Sequence, residues 1–288
     1  MDHPLAMTPT KTLPSTLARK ISAEMYRLTN RDRHLLDLLA THQCLTTEQI
    51  TAIAFTTDRK ARRRLLLLHQ RDVLDRFRFP TGPGSLSWRW TLGPVGAAVV
   101  AASADQPMPR PGTVRAATAR LAASPRLHHL LEVNQFFCAL AAHARHHPDT
   151  MLLRWWSERQ ATHATGGIVH PDGAGLWTQA GHRLPFWLEL DRGTEQLSRL
   201  AAKLTGYRRL AGTDLAWPVL FWLPTRTREA NLHKQLRAEY AGMVVATATG
   251  GGHPLGTVWR LPGQPGTARR RLHQIPTTAR PEEDVWHA

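Results

Sequence analysis

Cysteine is almost absent from this 288-residue chain: Cys44 and Cys138 stand alone, with no CxxC spacing. A disulfide framework and a cysteine zinc finger are thereby excluded, and reduced thiols in a cytoplasmic setting are expected. Apolar runs are short. The longest, around residues 96–102, falls well below the roughly 18 residues that a membrane span needs. The opening MDHPLAMTPTKTLPS has no apolar signal core, so neither export nor a membrane partner is expected. Tyrosine is scarce, and no histidine triad frames Tyr26, Tyr207 or Tyr240, which disfavours a tyrosine-type relaxase. No P-loop, dinucleotide-type glycine motif, Ser-His-Asp order or fixed-period repeat occurs, so ATP use and hydride chemistry are disfavoured.

What is abundant is positive charge. Lys and Arg number 37 against 22 Asp and Glu, a formal net charge of +15. Such an excess points to a polyanion, most often nucleic acid. Arginine outnumbers lysine 32 to 5, a bias that GC-rich coding also produces without any function. The excess is spread, at net +6 over residues 26–104 and net +5 over residues 126–261. Composition divides the chain into a Pro/Thr/Ala-rich segment, residues 1–25, expected to be disordered, and a first domain, residues 26–104. A Pro-rich linker over residues 105–125, a second domain over residues 126–261 and a flexible tail over residues 262–288 follow.

The first domain reads as three helices and a hairpin. Leu35, Leu36, Leu38 and Leu39 give an apolar stripe over residues 31–42. Thr46 and Gln49 have capping-box spacing and open a short helix to about residue 54. Thr57 or Asp58 caps a third helix, residues 59–71, with Ala61, Leu65 and Leu68 facing inward. VLDRFRF and LSWRWTL then alternate on either side of a turn at residues 81–85. That order is a winged helix-turn-helix. Arg59, Lys60, Arg62 and Arg63 crowd the third helix, where a basic face can enter the major groove and the guanidinium fork can reach phosphates and base edges. Arg76, Arg78 and Arg89 are expected to touch backbone from the wing. The plainer reading is a solvated basic face on a module that binds protein.

The second domain reads as αβββαβ, a mixed sheet flanked by helices, so the whole is an α+β chain of two domains. Helices are expected over residues 126–146 and 194–210, and strands over residues 151–157, 168–177, 183–191 and 217–223. Asp172 sits in a Pro-Asp-Gly turn, and Glu189 and Asp191 lie two apart on one strand, so they project from one face. Carboxylates on an apolar strand are costly to bury without counter-charge, and Mg2+ would supply one. Lys203 lies at the edge of the next helix's apolar stripe, with Tyr207 at i+4. Glu158 is a possible further ligand, and Glu132 a weaker one.

Pro171-Asp172 followed by Glu189-Leu190-Asp191 resembles the PD-(D/E)xK nuclease superfamily. The resemblance implies a restriction-endonuclease-like core. Asp172, Glu189, Asp191 and Lys203 would be the catalytic set, and Asp172, Glu189, Asp191 and Glu158 would hold the Mg2+ that activates water against a phosphodiester. Asp191 occupies the position where the pattern expects lysine, and Lys203 would replace it from the helix. More broadly, LTNRDRHLLDLLATHQCLTTEQI, ARRRLLLLHQRDVLDRF, SPRLHHLLEVNQFF, RWWSE and LELDRGTEQLSRLAAKLTGY, in that order over about residues 28–225, resemble the replication-relaxation family of plasmids and integrative elements. Arg71-Asp72 replaces the usual turn glycine. The resemblance implies a DNA-binding protein of a mobile element, acting on duplex DNA in plasmid replication, relaxation or mobilisation. Its partners would be relaxases or replication initiators. An active Mg2+-dependent nicking endonuclease and a winged-helix transcriptional regulator are the alternatives. His143 and His147 share a helix face at i,i+4, but no HExxH pattern or nearby cysteine accompanies them, so a solvated face is expected there.

Overall fold

The computed structural model describes residues 15–79, 87–236, 242–263 and 268–277. These form ten α-helices and eight strands, a mixed α/β architecture in which no described helix is long and apolar enough to cross a membrane. The chain divides into two compact units. One comprises the described residues up to Gln43 together with Arg62–Ala122; the other comprises Cys44–Ala61 and the described residues from Ala123 onward.

In the first unit, α1 spans Ser15–Arg27 and α2 spans Asn30–His42. Thr29 and Asp32 close a capping box at the start of α2, the Asp32 carboxylate accepting the Thr29 N–H at 2.8 Å. The same buried carboxylate accepts from the Arg64 guanidinium of α4 (Asp58–Gln70), with Nε at 2.9 Å. One acid thus caps one helix and anchors another. Leu65 and Leu68 of α4 are buried, as are Leu35, Leu36 and Leu39 of α2. β2 (Leu74–Phe77) and β3 (Arg89–Leu92) pair antiparallel, Leu74 opposite Leu92 and Phe77 opposite Arg89. The turn expected at residues 81–85 lies outside the described residues. After β3 the chain enters α5 (Pro94–Ser103) so close to its own backbone that a Cβ at Gly96 would lie 2.1 Å from the Val73 carbonyl oxygen. α6 (Pro111–Ala122) is tied to β3 by Thr118 and Thr91, whose hydroxyls meet at 2.9 Å.

Two expectations change here. Residues 15–25, expected to be disordered, belong to α1, which buries Ile21 and Glu24; Glu24 faces Arg71 at 3.5 Å. The linker expected at residues 105–125 contains α6, because Pro111 stands at a helix start, where its missing N–H removes no hydrogen bond.

The second unit opens with β1 (Leu45–Thr46) and α3 (Thr47–Ala54), and the Thr46–Gln49 capping box forms as its spacing predicts. α3 packs against α7 (Leu127–Ala144). Gln49 donates to the Leu131 carbonyl at 2.9 Å, Asn134 to the Cys44 carbonyl at 2.7 Å, and Arg145 to the Ala52 carbonyl at 2.6 Å. These bonds explain why residues 44–61 cluster with this unit, whereas the sequence groups them with the rest of residues 26–104.

β4 (Thr150–Ser157), β5 (Gly173–Gln179) and β6 (His182–Leu190) form an antiparallel meander. β7 (Val219–Leu223) pairs parallel with β6, and β8 (Val245–Thr249) parallel with β7, giving the order β4-β5-β6-β7-β8. Alternation along β6 divides the core. Leu184, Phe186 and Leu188 cluster with Phe136, Phe137 and Leu140 of α7. Trp187 clusters with Leu200, Leu204 and Tyr207 of α9 (Leu197–Arg208) and with Leu232 and Leu236 of α10 (Arg226–Leu236). A short α8 (Glu158–Ala164) follows β4. Part of the tail expected to be flexible is built in. Trp259 pairs with Arg270, and Leu272 and Ile275 are buried in the α7-side cluster around a 3-10 turn at Leu272–Gln274.

Gly175 lets two aromatic rings approach β5: a Cβ there would lie 2.4 Å from Phe186 Cζ and 3.0 Å from Phe137 Cε1. Gly175→Ala is expected to lower stability by about 1–3 kcal/mol through overpacking. Urea denaturation checks this, and an unchanged midpoint would show that the rings yield freely.

Candidate functional site

The end of β6 carries a carboxylate into an apolar layer. Glu189 follows the Trp187 alternation onto the α9 side and is 1% exposed. Two α9 residues one turn apart meet it: Lys203 donates to Oε2 at 2.7 Å and the Tyr207 hydroxyl to Oε1 at 2.6 Å. The four-residue spacing on a helix puts both side chains on one face. Lys203 also faces Glu195 at 3.6 Å. Asp172 joins from the residue before β5. Its backbone N–H donates to the Leu188 carbonyl at 3.0 Å, fixing it beside β6. Its Oδ2 accepts the Leu190 N–H at 2.7 Å and its Oδ1 meets His129 Nε2 of α7 at 2.7 Å.

Burial drives the Glu189 carboxyl up to about 7, and the neighbouring Asp172 charge adds to that push against the opposing Lys203 and Tyr207. Burial works against the charge on Lys203, but Glu189, Asp172 and Glu195 outweigh it and hold the ammonium well above its ordinary range. Burial pulls His129 down; the hydrogen bond and charge of Asp172 more than reverse this and raise it. Tyr207 is pushed up by burial and by Glu189. The arrangement is a compensated charge network: buried carboxylates with an ammonium, a phenol and an imidazole at their oxygens.

Of the residues expected to act together, Asp172, Glu189 and Lys203 converge. Asp191 and Glu158 make other contacts. Strand pairing with β7 ends at Leu190, and Asp191 turns to the loop beyond. Its Oδ1 accepts the Gly193 N–H at 2.9 Å and Arg228 Nη2 at 3.1 Å, while Oδ2 takes Arg228 Nε. Glu158, at the start of α8, pairs with Arg126 at 2.9 Å. Among the described residues, no group of three or more His, Cys, Asp or Glu side chains is gathered so as to hold a metal ion. All four oxygens of Asp172 and Glu189 already have hydrogen-bond partners. Of the four carboxylates expected to hold Mg2+, Asp172 and Glu189 lie together, while Asp191 and Glu158 pair with Arg228 and Arg126.

The basic residues fall in two places. Arg59, Lys60, Arg62 and Arg63 are all exposed on α4. On the β2–β3 hairpin, the Arg76 and Arg78 guanidiniums lie over the Trp88 ring at 4.0 and 4.5 Å. Burial, with Arg78 alongside, lowers the Arg76 value. Arg89, expected on the wing surface, is buried at 7% exposure, with its guanidinium 5.2 Å from the Phe79 ring centre. His143 and His147 stack with ring centres 3.6 Å apart. The sequence shows Tyr207 only as a neighbour of Lys203 and gives no sign of His129. The i,i+4 spacing was a usable signal for Tyr207; the 43-residue separation of His129 from Asp172 offered none.

A family model described as replication-relaxation matches residues 36–221, more than half of the chain. No curated protein matches, and no solved structure does.

Glu189 is expected to make stability pH-dependent. Its folded value of about 7 lies above the ordinary 4.5, so the folded state holds the proton more tightly. That contribution is complete below about pH 4.5 and is lost as pH rises through about 7. Melting temperature from about pH 5 to about pH 8 is expected to fall more steeply for the wild type than for Glu189→Gln, and parallel curves would contradict it. Lys203→Met, which leaves the buried carboxylate without its cation, is expected to cost about 2 kcal/mol in urea.

Proposed function

The chain belongs to the replication-relaxation family, and we propose that it is a DNA-binding factor of a plasmid or other mobile element, acting in replication or relaxation by gripping duplex DNA. The observation that carries this reading is the row of exposed cations on α4, Arg59, Lys60, Arg62 and Arg63, in a chain of net charge +15. As the groove-entering helix of a winged helix-turn-helix, α4 would place guanidiniums at phosphates and base edges, with the β2–β3 hairpin as wing. The Trp88 stack supports that role for the hairpin, since it fixes the Arg76 and Arg78 guanidiniums before any DNA arrives.

The second unit is best read as a nuclease-like core that does not cut. The ion-pair network at Glu189 and the diversion of Asp191 to Arg228 both favour this. The competing reading, Mg2+-dependent nicking, draws on the adjacency of Asp172, Glu189 and Lys203, the acids and lysine that the nuclease pattern calls for. On the non-cutting reading, relaxase or initiator proteins would supply the strand cleavage that the binding factor itself does not perform.

Replacing Arg62 and Arg63 with Ala is expected to flatten the slope of log K against log salt for duplex binding by about one unit per lost contact. An unchanged slope would remove α4 from the interface. Supercoiled plasmid incubated with the wild type and Mg2+ is expected to stay supercoiled. Nicking that disappears in Asp172→Asn and Glu189→Gln would overturn the binding-only reading of the core.

A further inference from the structure

A cavity of about 570 Å3 opens where β6, β7 and β8 end, within the range of about 300–1,000 Å3 common for small-ligand pockets. It sits beyond the carboxyl ends of the parallel strands, the usual position of ligand crevices in open α/β sheets. Its aromatic wall is Trp222, half-buried on β7. Phe136 meets that indole edge-on at 5.4 Å, and Trp259 braces it at 5.7 Å. The indole is thus held in one orientation. Gly250 keeps its polar edge uncrowded, since a Cβ there would lie 3.2 Å from Trp222 Nε1. Opposite the strands, α7 contributes Glu132 and Gln135, exposed and one helical turn apart, and Arg192 fixes Glu132 through an ion pair at 3.2 Å.

The charge of the lining decides what enters. Glu132 is paired with Arg192 and Asp191 with Arg228, so the acids of the lining are balanced, while burial lowers His253 and favours its neutral form. Such walls offer no excess cation to a phosphate. They suit a flat neutral ring whose edge offers N–H donors to the Glu132 carboxylate and both donors and acceptors to the Gln135 amide. A base freed from its stack presents both a face and an edge in this way.

We propose that this cavity receives one unstacked nucleobase from single-stranded DNA, stacked on Trp222 and read at its edge by Glu132 and Gln135. The proposal rests on the DNA-binding reading and deepens it. A factor acting where duplex is opened or strained would hold one displaced base here. Stacking on a protein aromatic is sequence-tolerant, and the two α7 side chains add the preference among bases.

The test uses the full chain and a single-stranded oligonucleotide carrying one 2-aminopurine, whose fluorescence is quenched on stacking. Binding to the wild type is expected to quench it. Gln135→Ala and Glu132→Ala, both at exposed positions, are expected to weaken single-strand affinity about threefold or more. Trp222→Leu is expected to weaken it about tenfold or more and to abolish quenching. Duplex affinity is measured on the same proteins and should be unchanged. Intact duplex binding with no quenching, or with quenching and affinity unaltered in all three variants, would overturn the cavity proposal and leave the duplex reading standing. Quenching and variant effects without duplex binding would support the cavity and overturn the duplex reading. Should Trp222→Leu fail to fold, Gln135→Ala and Glu132→Ala decide alone.

Discussion

A carboxylate on the innermost stretch of an apolar strand has few options, and Glu189 has taken most of them. It cannot reach water at 1% exposure, so its charge must be met by protein groups. Lys203 and Tyr207 reach it only if α9 lies along the sheet in one rotational setting, and that setting also buries Leu200 and Leu204. One polar contact therefore selects a packing arrangement among the many that a merely apolar helix face would permit. Asp172 reinforces the choice from the other side by clamping the Leu190 N–H and His129. The strand ends, α9 and α7 are joined by side chains in which each hydrogen bond supports the next.

A similar economy holds in the first unit. Asp32 closes the cap of α2 and receives Arg64 from α4, so removing one acid would disturb a helix start and a helix orientation together. Of the arginines clustered on α4, Arg64 is thereby spent on structure while Arg59, Arg62 and Arg63 face outward. Counting basic residues on a helix overstates its binding surface by whichever of them the core recruits. The hairpin shows the same division, with Arg89 buried and Arg76 and Arg78 stacked on Trp88.

Local spacing carried much of this into the sequence. The Thr46–Gln49 cap, the alternation of β6 and the helix of Lys203 and Tyr207 are each written within a few residues, and each is present. Period-two reasoning puts Glu189 and Asp191 on one face, yet cannot see that the Asp191 carboxylate is taken by Arg228, 37 residues later. His129 was hidden for the same reason: its partner is chosen by the fold and not by neighbours. Composition misjudged α1 and α6, because Pro and Thr at a segment's start signal a helix beginning as readily as a loop. It also misjudged α3, whose membership of the second unit depends on distant groups, Asn134, Arg145 and the Leu131 carbonyl.

The late-coming residues have a temporal meaning. Arg269 offsets the buried Glu229 of α10, and Leu272 and Ile275 fill the layer beneath α7. During synthesis all of α7, the sheet and α10 emerge before these residues do. Until they emerge, the apolar layer beneath α7 has a gap and Glu229 lacks its guanidinium partner. A chain that has emerged only as far as β8 thus still lacks side chains that its core requires, and its apolar layer is open to association until they arrive.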